Sequence, residues 1–300
     1  MCHRLTGSQP RALSIMLLYR SHGLTIAEVW FDEPADSPRT DIVRHHQCLR
    51  PIYGSACTTF NTLVLDLSHT EKELWNKIHK DTRYEVRRGR EKDGLTCAAW
   101  DGNDIVMLKQ FCSIYAAFAE QKGLSPLSWD YLKGLAAAGM LDVSWVTTAT
   151  AENLVYHAHV LVANRSRLLH SVSLFRASSD SGFRNLVGRA NRLLHWNDMM
   201  RFRAAGVRTY DFGGWYDGTD DQDRLRINDF KEGFGGKVER NWNAEVLVSW
   251  KARVMVPLVR SLRRMRHFIK RNGYNDLMNG SKPNILTDMS IRMGKNAPSR

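Results

Sequence analysis

The chain has 300 residues, of which 43% are hydrophobic and 10% aromatic, enough for one large domain or two small ones and too apolar for global disorder. Its formal charge is +12, but residues 251–300 hold twelve Lys or Arg against two acids, while the first 250 residues hold 31 cations against 29 anions. The body is nearly neutral, which argues against a uniformly basic nucleic-acid-binding domain and assigns anionic partners to the tail.

Cys2, Cys48, Cys57, Cys97 and Cys112 are odd in number, spread out and without a C-x-x-C pair, so they read as free thiols in a reducing compartment. No apolar run approaches the roughly 18 residues of a membrane-spanning helix. The expected location is cytoplasmic, peripheral at the inner membrane face if the tail meets lipid.

Residues 12–20 and 24–31 read as a hairpin closed by Ser21-His22-Gly23. Prolines 34, 38 and 51 make residues 32–58 a long irregular connection, and residues 62–67 a third strand. Thr70 and Glu73 form a capping box, and Leu74, Trp75, Ile78 and Thr82 follow at helical spacing, so one helix is expected whose second half, from Arg83 to Arg90, is cationic. A strand at 95–100, a helix at 104–122 and a shorter one at 128–138 follow. Residues 142–148, 154–164 and 168–175 form a dense β block with tight turns, which predicts antiparallel pairing. A helix at 186–205 with Gly206 at its end, a strand at 207–212, an acidic loop at 213–223, a helix at 224–233 and a strand at 237–248 complete the body.

The expected fold is a layered α/β (α+β) domain over residues 67–250: a mixed, mostly antiparallel sheet flanked by helices, locally parallel where a helix crosses over. Residues 1–66 form a partial N-terminal β unit, 251–272 a basic amphipathic helix and 273–300 a disordered tail.

Two constellations can carry chemistry. Asn185, Gly188, Arg189 and Ala190 lie at the expected start of a helix, where uncovered amides and the helix dipole favour a phosphate; a small residue there is also a common packing device. Tyr210-Asp211-Phe212-Gly213-Gly214 places a carboxylate at a strand end, and Phe230-Lys231-Glu232-Gly233-Phe234-Gly235-Gly236 sets a lysine among aromatics that desolvate it. The alternative is a Gly-rich turn with a solvent-facing lysine. His157 and His159 share a strand face but show no third metal ligand, so no metal site is assigned. Arg83, Arg87, Arg88 and Arg90 suit phosphates and equally suit a solvated helix end. Asp217, Asp220, Asp221 and Asp223 lack Ca²⁺-loop spacing and read as a solvated lid. There is no G-x-S-x-G, H-E-x-x-H or Walker loop.

Thr82 to Arg88, the strand pair at 154–175, the N-x-x-G-x-A stretch, Asp211-Phe212-Gly213-Gly214 and Phe230-Lys231-x-Gly233-Phe234-Gly235-Gly236 keep the order of the FemABX-type branch of the GNAT acyltransferase superfamily, which residues 60–250 resemble. The resemblance implies a GNAT-like fold and transfer of an acyl or aminoacyl group to an amine, with no bound cofactor. The implied donor is aminoacyl-tRNA or an acyl thioester such as acyl-CoA, and the implied acceptor an anionic small molecule, saccharide or peptide precursor of the cell envelope. Lys231 and Phe230 correspond to the family's F-K motif. Asn185, Gly188 and Ala190 correspond to its pyrophosphate turn, with Asn185 in place of the usual Arg or Gln, which weakens coenzyme A binding. Asp211 is the expected base, with Lys231 and the strand near Ser173 facing the oxyanion. Asn185, Gly188, Arg189, Ala190 and Phe230 are expected at the donor, and Arg83, Tyr84 and Arg87 at the acceptor.

In the tail, Met255, Leu258, Val259, Leu262, Met265 and Ile269 alternate with cations. Three partners suit this stripe over 251–271: an anionic membrane surface, tRNA phosphates, or the protein's own core. Two other functional readings stay open: an acyl-CoA-dependent N-acyltransferase, and a non-catalytic GNAT-like protein that binds tRNA or membrane.

Overall fold

The computed structural model describes residues 16–31, 40–100, 102, 104–174, 179–262 and 265. The expected disordered tail and the end of the amphipathic helix lie outside the described residues. The chain divides into two compact units, Met1–Val248 and Ser249–Arg300; in the second, residues 250–262 are helical.

The first unit runs β1 (Met16–Ser21), β2 (Leu24–Trp30), β3 (Ile42–Cys48), β4 (Ala56–Asp66), α1 (Glu71–Lys77), α2 (Lys80–Glu91), β5 (Thr96–Ala99), α3 (Ile105–Lys122), α4 (Trp129–Ala137), β6 (Leu141–Thr147), β7 (Asn153–Val162), β8 (Arg165–Ser173), α5 (Ser181–Ala204), β9 (Thr209–Gly214), α6 (Gln222–Glu232) and β10 (Lys237–Leu247). All ten strands join one sheet in the order β1-β2-β3-β10-β4-β9-β8-β7-β6-β5. Only β2 with β3 and β8 with β9 are parallel, and α5 is the crossover for the second pair. This is the expected mixed, mostly antiparallel layered fold.

Alternation along β7 shows why helices cover both faces. Tyr156, Ala158, Val160 and Val162 join a core with Phe111 of α3 and Leu132 of α4, while Val155 joins the opposite core with Leu194 and Phe202 of α5. His157 and His159 have the register of Val155 and are fully buried beneath α5.

Three expectations about elements need correction. Residues 32–58 are not irregular throughout, because β3 lies within them, paired on one side with β2 and on the other with β10. The helix after Thr70 is two helices. The capping box forms as expected, but Ile78 turns extended at ψ 138° and His79 at ψ 146°, and the His79 amide donates to Gly233 O at 2.9 Å. Finally, α5 begins at Ser181 rather than at residue 186. The Asp180 carboxylate accepts from the Phe183 amide as the N-cap, so the helix starts more than a turn upstream of Gly188.

Candidate active site

The parallel strands β8 and β9 pair only at Arg165↔Thr209, Ser166↔Tyr210 and Arg167↔Asp211, although β8 continues to Ser173 and β9 to Gly214. Past that point a cavity of about 410 Å³ opens between them, roofed by α5 and α6. Leu168, Ser171 and Ser173 line it from β8, Phe212 from β9, Gly188, Asn191, Arg192 and His195 from α5, and Arg226, Ile227, Phe230 and Lys231 from α6.

Lys231 sits in the last turn of α6 and is 8% exposed. Its Nζ donates to Gly213 O at 3.4 Å and also to Gly214 O. Burial pulls its proton affinity down to about 8; the Asp211 carboxylate opposes this and the Arg167 cation reinforces it. The ammonium therefore persists at neutral pH yet gives up its proton far more readily than a surface lysine.

Asp211 is not placed to act as a base. It is fully buried, and its oxygens accept from Gln47 Nε2 at 2.8 Å, Arg165 Nε at 3.0 Å, Arg165 Nη2 at 2.6 Å, the Gly213 amide at 2.7 Å and Thr62 Oγ1. With five donors on two oxygens it ties β9 to β3, β4 and β8, and it is absent from the cavity wall.

The glycine pairs bring backbone close to backbone rather than to ligand. A Cβ on Gly213 (φ +73°) would lie 2.9 Å from Leu168 O, and one on Gly236 (φ +100°) would lie 2.6 Å from Val64 O.

The donor-turn expectation fails with the helix start. Gly188 and Ala190 lie inside α5, where their amides belong to the helical ladder, and Arg189 is buried in an ion pair with Asp93 instead of standing at a rim. Asn185 is exposed. Of the expected donor residues, Gly188 and Phe230 reach the cavity.

The expected acceptor residues lie on α2, away from this cavity. Arg83 Nη1 donates to the carbonyls of Trp75 and Asn76, capping the end of α1. Tyr84 is exposed and receives a hydrogen bond from Arg88. Arg87 lies 5.7 Å from the Trp75 ring centroid and lines a separate surface cleft with Arg90 and Trp196.

Behind the cavity runs a buried polar network. His157 Nδ1 is 2.9 Å from Asp198 Oδ2 and its Nε2 2.9 Å from Asn191 Oδ1; Ser144 Oγ and Arg201 Nη2 also donate to Asp198. Burial alone would raise the Asp198 carboxyl, but the hydrogen bond with His157 and the surrounding positive charge hold it below its ordinary value. Asp198 is the third group that the sequence did not disclose beside His157 and His159, with one ligand atom from each of the three within 4.8 Å of the others. Both nitrogens of His157 are committed to protein partners, so the network positions Asn191 at the cavity. His195 pairs through Nδ1 with the Tyr210 hydroxyl at 2.7 Å, and burial keeps its imidazole neutral, well below its usual range.

Asn191, Arg192 and His195 were not singled out from the sequence. Their signal is a polar stripe, Gly188-Asn191-Arg192-His195, at spacings of three, one and three along a helix whose neighbouring stripe is apolar.

No family model and no curated protein matches the sequence. Among solved structures, the crystal structure of FemX matches with a TM-score of 0.56 at 13% identity, over 76% of this chain and 83% of that one. The chain has a FemX-like fold. At 13% identity this likeness is one of fold. Two further matches are the C-terminal domain of a protein described as a lysylphosphatidylglycerol synthetase from Agrobacterium fabrum (13% identity, 80% of this chain and 83% of that one, TM-score 0.49) and L-PGS from Bacillus licheniformis (13%, 84% and 90%, TM-score 0.46). In this fold the cavity lies past the end of the β8–β9 ladder, and of the Phe230–Gly236 stretch it is Phe230 and Lys231 that line it.

Proposed function

We propose that the chain is an acyltransferase that moves an acyl or aminoacyl group onto an amine in the cavity between β8 and β9. The observation that carries this reading is Lys231: a buried ammonium with proton affinity near 8, hydrogen-bonded only to backbone carbonyls, in the cavity of a FemX-like fold. The acceptor nitrogen, after losing a proton to water, forms a bond to the donor carbonyl carbon. The carbonyl π electrons move to oxygen, where Lys231 stabilises the negative charge. Collapse breaks the carbon–oxygen or carbon–sulfur bond to the leaving group, which takes up a proton that Lys231 is suited to lend and then recover from the acceptor amine. Leu168, Val187, Phe212 and Ile227 supply an apolar half for the acyl portion.

Aminoacyl-tRNA or an acyl thioester is the proposed donor class and an envelope saccharide or peptide precursor the proposed acceptor. Loss of the pyrophosphate turn within α5 weighs against coenzyme A as the carrier. The test is incubation with labelled aminoacyl-tRNA or labelled acyl-CoA together with envelope extract, reading which label becomes amide-linked. Wild-type turnover by a folded Lys231→Ala variant would remove the assignment.

For the second unit we propose contact with an anionic membrane surface. Along the 250–262 helix Trp250 (72%), Val254 (60%) and Leu258 (59%) are exposed beside cations, and lipid, unlike RNA phosphate, makes use of exposed apolar side chains. No helix among the described residues is long and apolar enough to cross a membrane.

A further inference from the structure

The cavity has an unbalanced charge. Among the described residues three cations line it, Arg192, Arg226 and Lys231, and no carboxylate does. Arg226 has Asp223 3.4 Å away on its own helix. Among the described residues Arg192 has no carboxylate within ion-pair distance, though Glu85 acts on it from further off: Nη1 donates to Gly188 O at 3.3 Å, and Nε is buried with no hydrogen-bond partner. Its guanidinium carbon lies 4.8 Å from the Phe230 ring centroid, a cation–π contact. Gly188 clears the ground beside it, since a Cβ there would meet nothing nearer than Arg192 Nη1 at 3.6 Å. Lys231 is the next residue along from Phe230, also lacks a carboxylate at hydrogen-bond distance, and spends its ammonium on two carbonyls. Burial lowers the proton affinity of both cations, and the carboxylates that oppose it, Glu85 for Arg192 and Asp211 for Lys231, offset it only in part.

We infer that the cavity is an oxyanion-binding site, in which a carboxylate or phosphate of the substrate docks between the Arg192 fork and the Lys231 ammonium, over the Phe230 ring. Ser171 from β8 and Asn191 from α5 line the same cavity and add neutral hydrogen-bonding groups, Asn191 being held by His157. The molecule that enters therefore carries a negative charge close to its reacting carbonyl or amine, with its apolar portion against Phe212 and Ile227. This deepens the transferase reading of the same cavity and rests on it for the word substrate; the charge argument needs only the cavity.

The test uses the full chain at low ionic strength and about pH 8, where Lys231 is partly deprotonated. Lys231 is reductively methylated with formaldehyde and cyanoborohydride and the modification followed by mass spectrometry, with inorganic phosphate, acetate or chloride added. Phosphate or acetate is expected to slow modification of Lys231 by about tenfold or more at saturation, as a charge-assisted contact would, with surface lysines unaffected. The anion that protects distinguishes phosphate from carboxylate. Arg192→Met keeps the stem on Phe230 and should abolish protection, while Arg192→Lys should restore part of it. Equal protection by chloride, no protection by any anion, or full protection in a folded Arg192→Met variant would overturn the proposal. Protection in a protein that transfers nothing leaves the anion site standing and removes the transferase reading. Transfer by Arg192→Met with unchanged KM does the reverse.

Discussion

Arg165, in the first pair of the β8–β9 ladder, reaches Asp211, in its last, at 2.6 Å, with the carboxylate fully buried and the guanidinium partly so. The ion pair spans the short ladder just before the strands part, which makes Asp211 a positioning residue. Asp211→Asn should cost about 3–5 kcal/mol in urea unfolding, because it removes the buried charge that Arg165 pairs with and turns one of the two acceptor oxygens into a donor facing donors. If the residue were instead a base, the variant would unfold like wild type and lose turnover alone.

Lys231→Met should move stability and activity in opposite directions. The folded proton affinity, about 8, is depressed below the ordinary 10.5, so the native state disfavours the charged form. That cost is present in full below about pH 8, shrinks as pH rises, and is gone above 10.5. The methionine variant is thus expected to be more stable at neutral pH by up to about 3 kcal/mol, with the gain fading between pH 8 and 10.5, and to be inactive in transfer. Thermal unfolding across pH 6 to 10.5 checks the first part. Wild-type turnover should fall as pH rises through about 8 if the ammonium faces the oxyanion.

The glycines separate two roles that look alike in sequence. Gly236→Ala puts a Cβ against a carbonyl at positive φ and should destabilise by about 3 kcal/mol. Gly188→Ala, inside a helix and in ordinary van der Waals contact with Arg192 Nη1 at 3.6 Å, should stabilise by about 0.5–1 kcal/mol. Denaturation of both variants, with wild type as reference, decides the matter; a large loss at Gly188 would contradict its place in α5.

Much of the architecture could be read in advance, and the misses share a physical cause. The hairpin, the β block and α3 were legible because each carries its own period and its own turn or cap, as in Asp104 before α3 and Gly123, in the left-handed region, after it. The strand β3 was not, since Arg44, His45, His46 and Gln47 are polar, and pairing with β2 on one side and the sequence-distant β10 on the other makes a strand of them. Phe230 and Lys231 were found at the cavity because the motif is local. Asp211 was misjudged because a carboxylate at a strand end looks the same whether it faces a cleft or five donors.

Removing residues 249–300 should abolish binding to vesicles of anionic lipid and leave cooperative unfolding of the remainder intact. Sedimentation with phosphatidylglycerol vesicles and circular dichroism provide the comparison. Undiminished binding by the shortened protein would transfer the membrane contact to the first unit.

The placement of β10 has a consequence for how the protein is made. It lies between β3 and β4, so Trp242 pairs with both Cys48 and Thr59 across nearly two hundred residues of chain. Until residue 247 has left the ribosome, β3 and β4 each present an unpaired edge, and the first three strands have nothing to join them to the rest of the sheet. The nascent chain must carry these edges through most of its synthesis, which makes late closure by the final strand the slow and aggregation-exposed step of its folding.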